Sequence, residues 1–334
     1  MSHFTVLVIG DNPEQQLAPF QENNMGDCPK EYLKFHDIED EYRAKYETDQ
    51  TSAFVSPEGE AHCKYDKQFA DYNSPGYNPQ RTPLFSGDRY VCPEGWTEAE
   101  VSVKEIYPTF EGYIEDYCGY TKDNAMGRYG YWENPNAKWD WYTLGGRWSG
   151  FFAKKDGGET DQDVIENLDF ESKLREKYEF ALGVYDYLWP HIKDTPPIES
   201  WEVIREGEKE LGGTDYIERA RTRYHAQPRM VAYQALQDKL RSISEQSEIE
   251  RIVYWMDNME DFNDSREVYA QKYAERCVQT FAVLKDGRWY ERGKMGWWAC
   301  VSDEKDQETW NSIYQNLIKN LPNGTLLSLY DCHI

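Results

Sequence analysis

The chain has 334 residues, of which 39% are hydrophobic and 15% aromatic, with 12 Trp and 26 Tyr. This is enough for a sizeable core, and the polar tips of its many rings need partners. Lys and Arg number 37 against 61 Asp and Glu, and the net charge of −24 argues against nonspecific binding of duplex nucleic acid through a basic face.

The seven cysteines are scattered and form no CxxC pair, so neither a disulfide framework nor a zinc ribbon is indicated. The apolar stretch near the start is too short for a secretory signal, and no long apolar run follows. These features predict a cytoplasmic protein without membrane contact. No motif predicts a metal site or a cofactor.

The first predicted element is a strand over 3–10, HFTVLVIG, which a Gly-Asp-Asn-Pro turn ends. Its apolar residues are consecutive, as in a strand that is covered on both faces. Residues 50–128 are rich in Pro, Gly, Tyr and Asn, for example in DYNSPGYNPQRTP at 71–83. We expect long loops with short strands there, within an N-terminal α+β part at 1–155.

The middle of the chain is predicted to be helical over 156–278. Asp215 with Glu218 three residues later resembles a weak capping box that opens one of its helices. Apolar positions of another helix recur at helical spacing, namely Leu174, Tyr178, Ala181 and Tyr185.

The C-terminal part, 279–334, carries the clearest signals. Asp286–Gly287 separates two strands and favours a type I′ turn, and WWACVSD at 297–303 is predicted as a third strand. Asp306 is predicted to cap a helix, and TLLSLYDCHI closes the chain as a strand. The predicted fold is therefore α+β, with a mixed or antiparallel sheet built from the N-terminal strand and the C-terminal strand–helix–strand unit.

The segment WDWYTLGGRWSG at 139–150 is the first candidate site. As a strand it would place Trp139 and Trp141 on one face and Asp140 and Tyr142 on the other. In a structural interpretation the tryptophans fill the core and Arg147 pairs with Asp140. In a functional one the Gly-Gly turn offers backbone N–H groups, and a ligand is bound by the arginine and three neighbours, namely Asp140, Tyr142 and Trp148.

The second candidate site is at the end of the last strand. If the terminal strands run antiparallel side by side, His333 comes close to His3, and Asp331 shares its face. Asp331 and His333 are the candidate catalytic residues for acid–base chemistry, and the alternative is that they are exposed polar groups at a chain end. Cys332 should point away from His333, which makes a nucleophilic pair between them poor.

Three further residues are candidate ligand contacts. Arg221 and His225 share a helix face in a basic segment, which is either an anion-binding surface or a solvated face. Trp298 adjoins Trp297, and in a strand only one of the two rings can face the core.

Six stretches also resemble a family of bacteriophage and bacterial proteins with no activity assigned to the family. They are MSHFTVLVIG, LAPFQEN, NPNAKWDWYTLGGRWSGFF, RYHAQP, DGRWYERGKMGWW and TLLSLYDCHI. The resemblance implies a phage-type cytoplasmic accessory protein that interferes with a host process or antiviral defence.

Three functions stay open at this point. The first is a binding module for a small, nucleotide-like molecule or a host protein, held in a pocket lined by rings and arginine. The second is an enzyme that acts on a nucleotide or another phosphorylated compound. The third is an acidic mimic of nucleic acid that blocks a host enzyme.

Overall fold

The structure is a computed structural model, and it describes residues 2–71, 90–256 and 258–334. All of the stretch 71–83 except Asp71 lies outside these residues. The strands are β1 His3–Ile9, β2 Lys34–Asp37, β3 Gln50–Val55, β4 Ala61–Cys63, β5 Thr97–Ser102, β6 Gly130–Glu133, β7 Trp141–Leu144, β8 Phe152–Ala153, β9 Glu159–Thr160, β10 Gln162–Val164, β11 Ala282–Lys285, β12 Arg288–Glu291, β13 Lys294–Met295, β14 Val301–Ser302 and β15 Leu326–His333.

The helices are α1 Pro13–Leu17, α2 Glu39–Thr48, α3 Val103–Ile106, α4 Phe110–Gly112, α5 Phe170–Ile192, α6 Trp201–Glu210, α7 Tyr216–His225, α8 Pro228–Arg241, α9 Glu248–Tyr254, α10 Arg266–Cys277 and α11 Gln307–Ile318. In the part of the chain that is described, none of them is long and apolar enough to cross a membrane.

The predicted α+β fold is confirmed, with a sheet that includes both terminal strands. The main sheet has the order β10-β15-β1-β11-β12, and β7 also pairs with β15. Strand β1 runs parallel to β11 and antiparallel to β15, so the sheet is mixed. Strand β1 is therefore central and is buried on both faces, as its run of apolar residues predicts.

The two faces of β1 belong to different clusters. Val6 and Val8 pack with Leu17 and Trp139 on one side. Leu7 and Ile9 pack on the other side with Trp310 and Tyr314 of α11. The alternation along one strand thus joins both layers of the core.

Local signals place the C-terminal elements correctly. Asp306 caps α11 by accepting a hydrogen bond from the Thr309 backbone N–H at 2.8 Å. Asp286 and Gly287 both have positive φ, at 51° and 71°, between β11 and β12. The predicted strand WWACVSD is wrong, because only Val301–Ser302 is extended, and it pairs with β13 in a separate two-stranded sheet.

The helical middle contains a core of its own. Helix α10 packs along the 23-residue α5, and Val184 and Leu188 of α5 are fully buried. Helix α5 contains Pro190 in its last turn and continues to Ile192. Asp215 makes no capping hydrogen bond at α7 and pairs with Arg219 instead, which corrects the predicted capping box.

Contacts divide the chain into two compact units, 1–21 with 138–334 and 22–137. The second unit has a three-stranded sheet in the order β4-β3-β5, a separate β2–β6 pair and a core around Ile38, Val103 and Ile114. The division of the sequence into 1–155, 156–278 and 279–334 stays a prediction.

Candidate functional site

The candidate site is a row of three rings at one end of the main sheet. His3 on β1 lies opposite His333 on β15, and His333 lies opposite Trp141 on β7. Residues that face each other across paired strands share a face of the sheet. The register of three strands therefore brings together side chains from both ends and the middle of the chain.

The first histidine is paired with a buried carboxylate. His3 Nδ1 is 2.8 Å from Asp331 Oδ1, and the Asp331 side chain is 3% exposed. The other carboxylate oxygen, Asp331 Oδ2, accepts a hydrogen bond of 3.1 Å from the backbone N–H of Arg147. Asp331 thus connects the imidazole of His3 with the backbone of the Gly-Gly turn.

The second histidine has a carboxylate of its own. His333 Nδ1 is 2.7 Å from Asp140 Oδ1, and the His333 side chain is 6% exposed. The same oxygen accepts a hydrogen bond from the backbone N–H of Trp141 at 2.7 Å. His333 Nε2 is buried and has no hydrogen-bond partner among the described residues.

The three rings are in mutual contact. The His3 and His333 centroids are 4.9 Å apart with an interplanar angle of 69°, and the ring of Trp141 stacks on His333 at 5.1 Å and 19°. Trp141 also meets the edge of His3 at 5.1 Å, and it remains 45% exposed. One indole therefore covers part of both imidazoles and still presents surface to solvent.

Two carboxylates fill the Gly-Gly corner. A Cβ on Gly145 would lie 2.1 Å from Asp161 Oδ2, and one on Gly146 would lie 2.5 Å from Asp331 Cβ. Asp161 also accepts hydrogen bonds from the backbone N–H groups of Gly150 and Phe151. The N–H groups of Arg147, Gly150 and Phe151 are therefore engaged by the protein's own carboxylates.

Arg147 and Trp148 lie in the 3₁₀ turn Gly146–Trp148 that follows. The expected ion pair between Arg147 and Asp140 is wrong, because Asp140 faces His333. The Arg147 side chain is exposed, and no hydrogen bond or ion pair holds its guanidinium within the described residues. Trp148 is on the border between half-buried and exposed. Both side chains remain candidates for ligand contact.

The predicted faces of the 139–142 segment are wrong. Trp139 is buried and donates its indole N–H to the carbonyl of Leu17 at 3.2 Å, whereas Trp141 lies with the histidines. Tyr142 packs against Trp139 and Tyr330 in the core. Alternation fails at this point because β7 begins only at Trp141, so Tyr142 does not share a face with Asp140.

Cys332 points to the opposite side of β15 from His333, as expected. It is fully buried in the cluster that contains Phe4 and Val6, and burial raises the pKa of its thiol. A thiol in such surroundings is unreactive.

The remaining candidates lie in other parts of the fold. Arg221 and His225 are exposed on α7, which packs mainly against α6 and α8 in the helical core. Trp298 lies in a 3₁₀ turn at φ 61° and is 80% exposed. The choice between core and sheet face expected for the 297–298 pair does not arise, because neither residue is in a strand.

Two contributors to the site were not predicted from the sequence. Trp141 covers the histidines instead of filling the core, and Asp161 binds the backbone of the Gly-Gly corner. The alternation of β15 gave the right face for His333, but the pairing of β7 with β15 depends on a separation of nearly 190 residues along the chain. No local pattern encodes that pairing.

No described group of three or more His, Cys, Asp and Glu residues is arranged to hold a metal ion. Comparison with protein-family models, curated proteins and solved structures gives no match to this chain. The function is therefore argued from the geometry of the site.

Proposed function

We propose that His3 and His333 form an acid–base site that acts on a nucleotide or another small phosphorylated compound. The observation that supports this is the pairing of each Nδ1 with its own carboxylate, Asp331 or Asp140, while the two rings lie 4.9 Å apart. A carboxylate at Nδ1 fixes both the tautomer and the orientation of an imidazole.

The hydrogen-bond pattern determines where a proton can be exchanged. An ionised carboxylate only accepts, so each Nδ1 carries the hydrogen that it donates. A neutral ring then has its lone pair at Nε2, and a protonated ring has an N–H there. Two such rings side by side can supply one base and one acid for the same reaction. For His333 this requires the exposed indole of Trp141, which stacks on the ring, to move aside and uncover the buried Nε2.

Hydrolysis of a phosphate ester would use both rings. The Nε2 of one neutral histidine takes a proton from water while the water oxygen forms a bond to phosphorus. The bond from phosphorus to the leaving oxygen breaks, and the protonated second histidine donates its Nε2 proton to that oxygen. The two histidines exchange protonation states, and solvent restores them.

Two neighbouring side chains support a phosphorylated substrate. The guanidinium of Arg147 is exposed and unpaired among the described residues, and it follows directly on the turn that holds Asp331. In a chain with net charge −24, such a group offers local attraction for phosphate. The exposed part of Trp141 offers a surface for a base or sugar.

The test is turnover of nucleoside mono-, di- and triphosphates and short oligonucleotides, followed by ³¹P NMR. His3→Gln and His333→Gln should each lower the rate by about 10²- to 10⁴-fold. The control is His225→Gln, which changes an exposed histidine on α7 and should leave the rate unchanged.

Treatment with a chelator separates this mechanism from metal catalysis, since activity should survive it. Binding of nucleotides without turnover, with binding lost in Arg147→Ala, would make the site a binding module instead. Equal turnover by His333→Gln and the parent protein would overturn the assignment of the histidines.

A further inference from the structure

A cavity of about 450 Å³ lies between α10 and the segment that follows α9. Its walls combine three aromatic rings with two arginines, namely Trp255, Tyr269, Tyr273, Arg251 and Arg276. Small-molecule sites commonly have this size and this mixture of apolar walls with a few polar groups. None of these residues belongs to the histidine site at the end of the main sheet.

One hydroxyl among the lining residues has no hydrogen-bond partner in the described part of the chain. Tyr269 is 2% exposed, and its ring packs on Phe262 with centroids 4.5 Å apart. Its hydroxyl makes no hydrogen bond to any described residue, although Tyr269 feels the charges of Asp261 and Arg276, which also line the cavity. Because Tyr269 lines the cavity and its hydroxyl oxygen is not sealed from solvent, this hydroxyl offers a donor to a bound molecule.

The charge of the cavity favours an anion. Arg276 Nη2 is 2.6 Å from Asp261 Oδ2, which neutralises one arginine. The guanidinium of Arg251 has no ion pair within the described residues, so the two arginines and Asp261 of the described lining together carry one net positive charge. Burial raises the pKa values of Tyr269 and Tyr273, so both hydroxyls stay protonated. The Tyr273 hydroxyl interacts with Cys277, which leaves Tyr269 as the tyrosine that can donate to an anion.

The rings favour a flat ligand. Trp255 lines the cavity but is 75% exposed, so its indole forms the rim. Met256 adds an adaptable apolar contact beside it. An aromatic ring that enters the cavity would cover part of Trp255, and Arg251 in the same lining would attract its anionic group.

We infer that this cavity is a binding site for a planar aromatic compound with one anionic group. This binding site is independent of the function proposed for the histidines. A nucleoside monophosphate and an aromatic carboxylate are two sources of this chemistry. All of the lining residues named above lie on α9, on α10 or between these two helices.

Calorimetry with six probes tests the inference on the full chain. Adenosine 5′-monophosphate and indole-3-acetate are the aromatic anions, adenosine and indole are their neutral counterparts, and phosphate and acetate are the anions without a ring. We expect at least one aromatic anion to bind about 10- to 100-fold more tightly than its neutral counterpart, because the neutral compound cannot form the charged hydrogen bond with Arg251. The preferred anion identifies the source.

Variants then locate the binding. Arg251→Gln should weaken binding of that anion about 10- to 100-fold, and Tyr269→Phe about 3- to 10-fold, through loss of one donor each. Arg175→Gln is the matched control, since Arg175 is exposed on α5 and outside the lining, and it should bind as the parent does.

His333→Gln should also leave the binding in the cavity unchanged, which distinguishes this binding from any binding at the histidine site. The inference fails if no aromatic anion binds at millimolar concentration. It also fails if Arg251→Gln and Tyr269→Phe both bind as tightly as the parent protein.

Discussion

Gly146→Ala is expected to disrupt the candidate site more than the loss of a glycine alone would do. Gly146 has φ +52°, and an added Cβ would lie 2.5 Å from both Cβ and Oδ2 of Asp331. Non-bonded carbon atoms are comfortable at about 3.5–4.0 Å, so either the turn or Asp331 must move. Asp331 is held by His3 and by the Arg147 N–H, which restricts its movement.

The magnitude has two parts. An alanine with left-handed φ costs about 1–2 kcal/mol, and overpacking a tight contact costs about 1–3 kcal/mol more. Gly287→Ala provides the matched control, because Gly287 has φ +71° and nothing within 4 Å of the added Cβ. It should show only the first part.

Urea unfolding at neutral pH measures both variants. Gly146→Ala should lower the free energy of unfolding by about 2–5 kcal/mol, and Gly287→Ala by about 1–2 kcal/mol. The imidazole NMR signals of His3 should shift only in Gly146→Ala. Equal destabilisation by the two substitutions, with unchanged His3 signals, would refute the claim that Gly146 is required for the position of Asp331.

Three further outcomes are expected. Arg229 is buried and donates hydrogen bonds to carbonyl and amide oxygens, without a carboxylate partner among the described residues. Arg229→Met should therefore lower the free energy of unfolding in urea by about 2–4 kcal/mol, because those acceptors lose their donor. As a control, substitution of the exposed Arg221 by Met should change the free energy of unfolding by less than about 0.5 kcal/mol. Hydrogen bonds from the Thr309 backbone and side chain lower the pKa of Asp306. The stabilisation by this carboxylate is therefore present above its pKa in the unfolded chain, and it is lost as the pH falls through its pKa in the folded protein. Asp306→Asn should lose less stability than the parent on acidification below pH ~4, and an equal loss would contradict the role of Asp306 as the cap of α11. The buried Cys332, whose pKa burial raises, should react with a thiol reagent only on unfolding, whereas the exposed Cys300 reacts in the native protein, as mass spectrometry after brief labelling can show.

The parts of the fold that the sequence predicts correctly are those with local signals. The Asp306 cap, the Asp286–Gly287 turn and the apolar run of β1 each depend on a few neighbouring residues. The proximity of His3 and His333 followed from one additional assumption, the antiparallel pairing of the terminal strands. These local signals and the pairing of the terminal strands are almost sufficient to predict the α+β fold class.

The details of the site could not be obtained in the same way. Trp139 and Trp141 alternate as a strand would require, but the hydrogen bond from Trp139 to Leu17 and the pairing of Trp141 with His333 place them differently. Likewise, the sequence predicts N–H groups that are available to a ligand at the Gly-Gly corner, whereas in the structure Asp331 and Asp161 accept hydrogen bonds from the N–H groups there. In both cases a partner distant in sequence decides the local conformation.

The same register that builds the core also fixes the candidate site. Along β15, Cys332 enters the cluster around Phe4, and its neighbours Asp331 and His333 face the other side. A slip of one residue would exchange these faces, placing a thiol beside His3 and two polar side chains in an apolar core. The cost of burying unpaired polar groups opposes that slip, so the packing of Cys332 helps to hold His333 beside His3. The position of the histidine pair therefore depends on residues that do not touch it, and its geometry should persist as long as the two terminal strands remain paired.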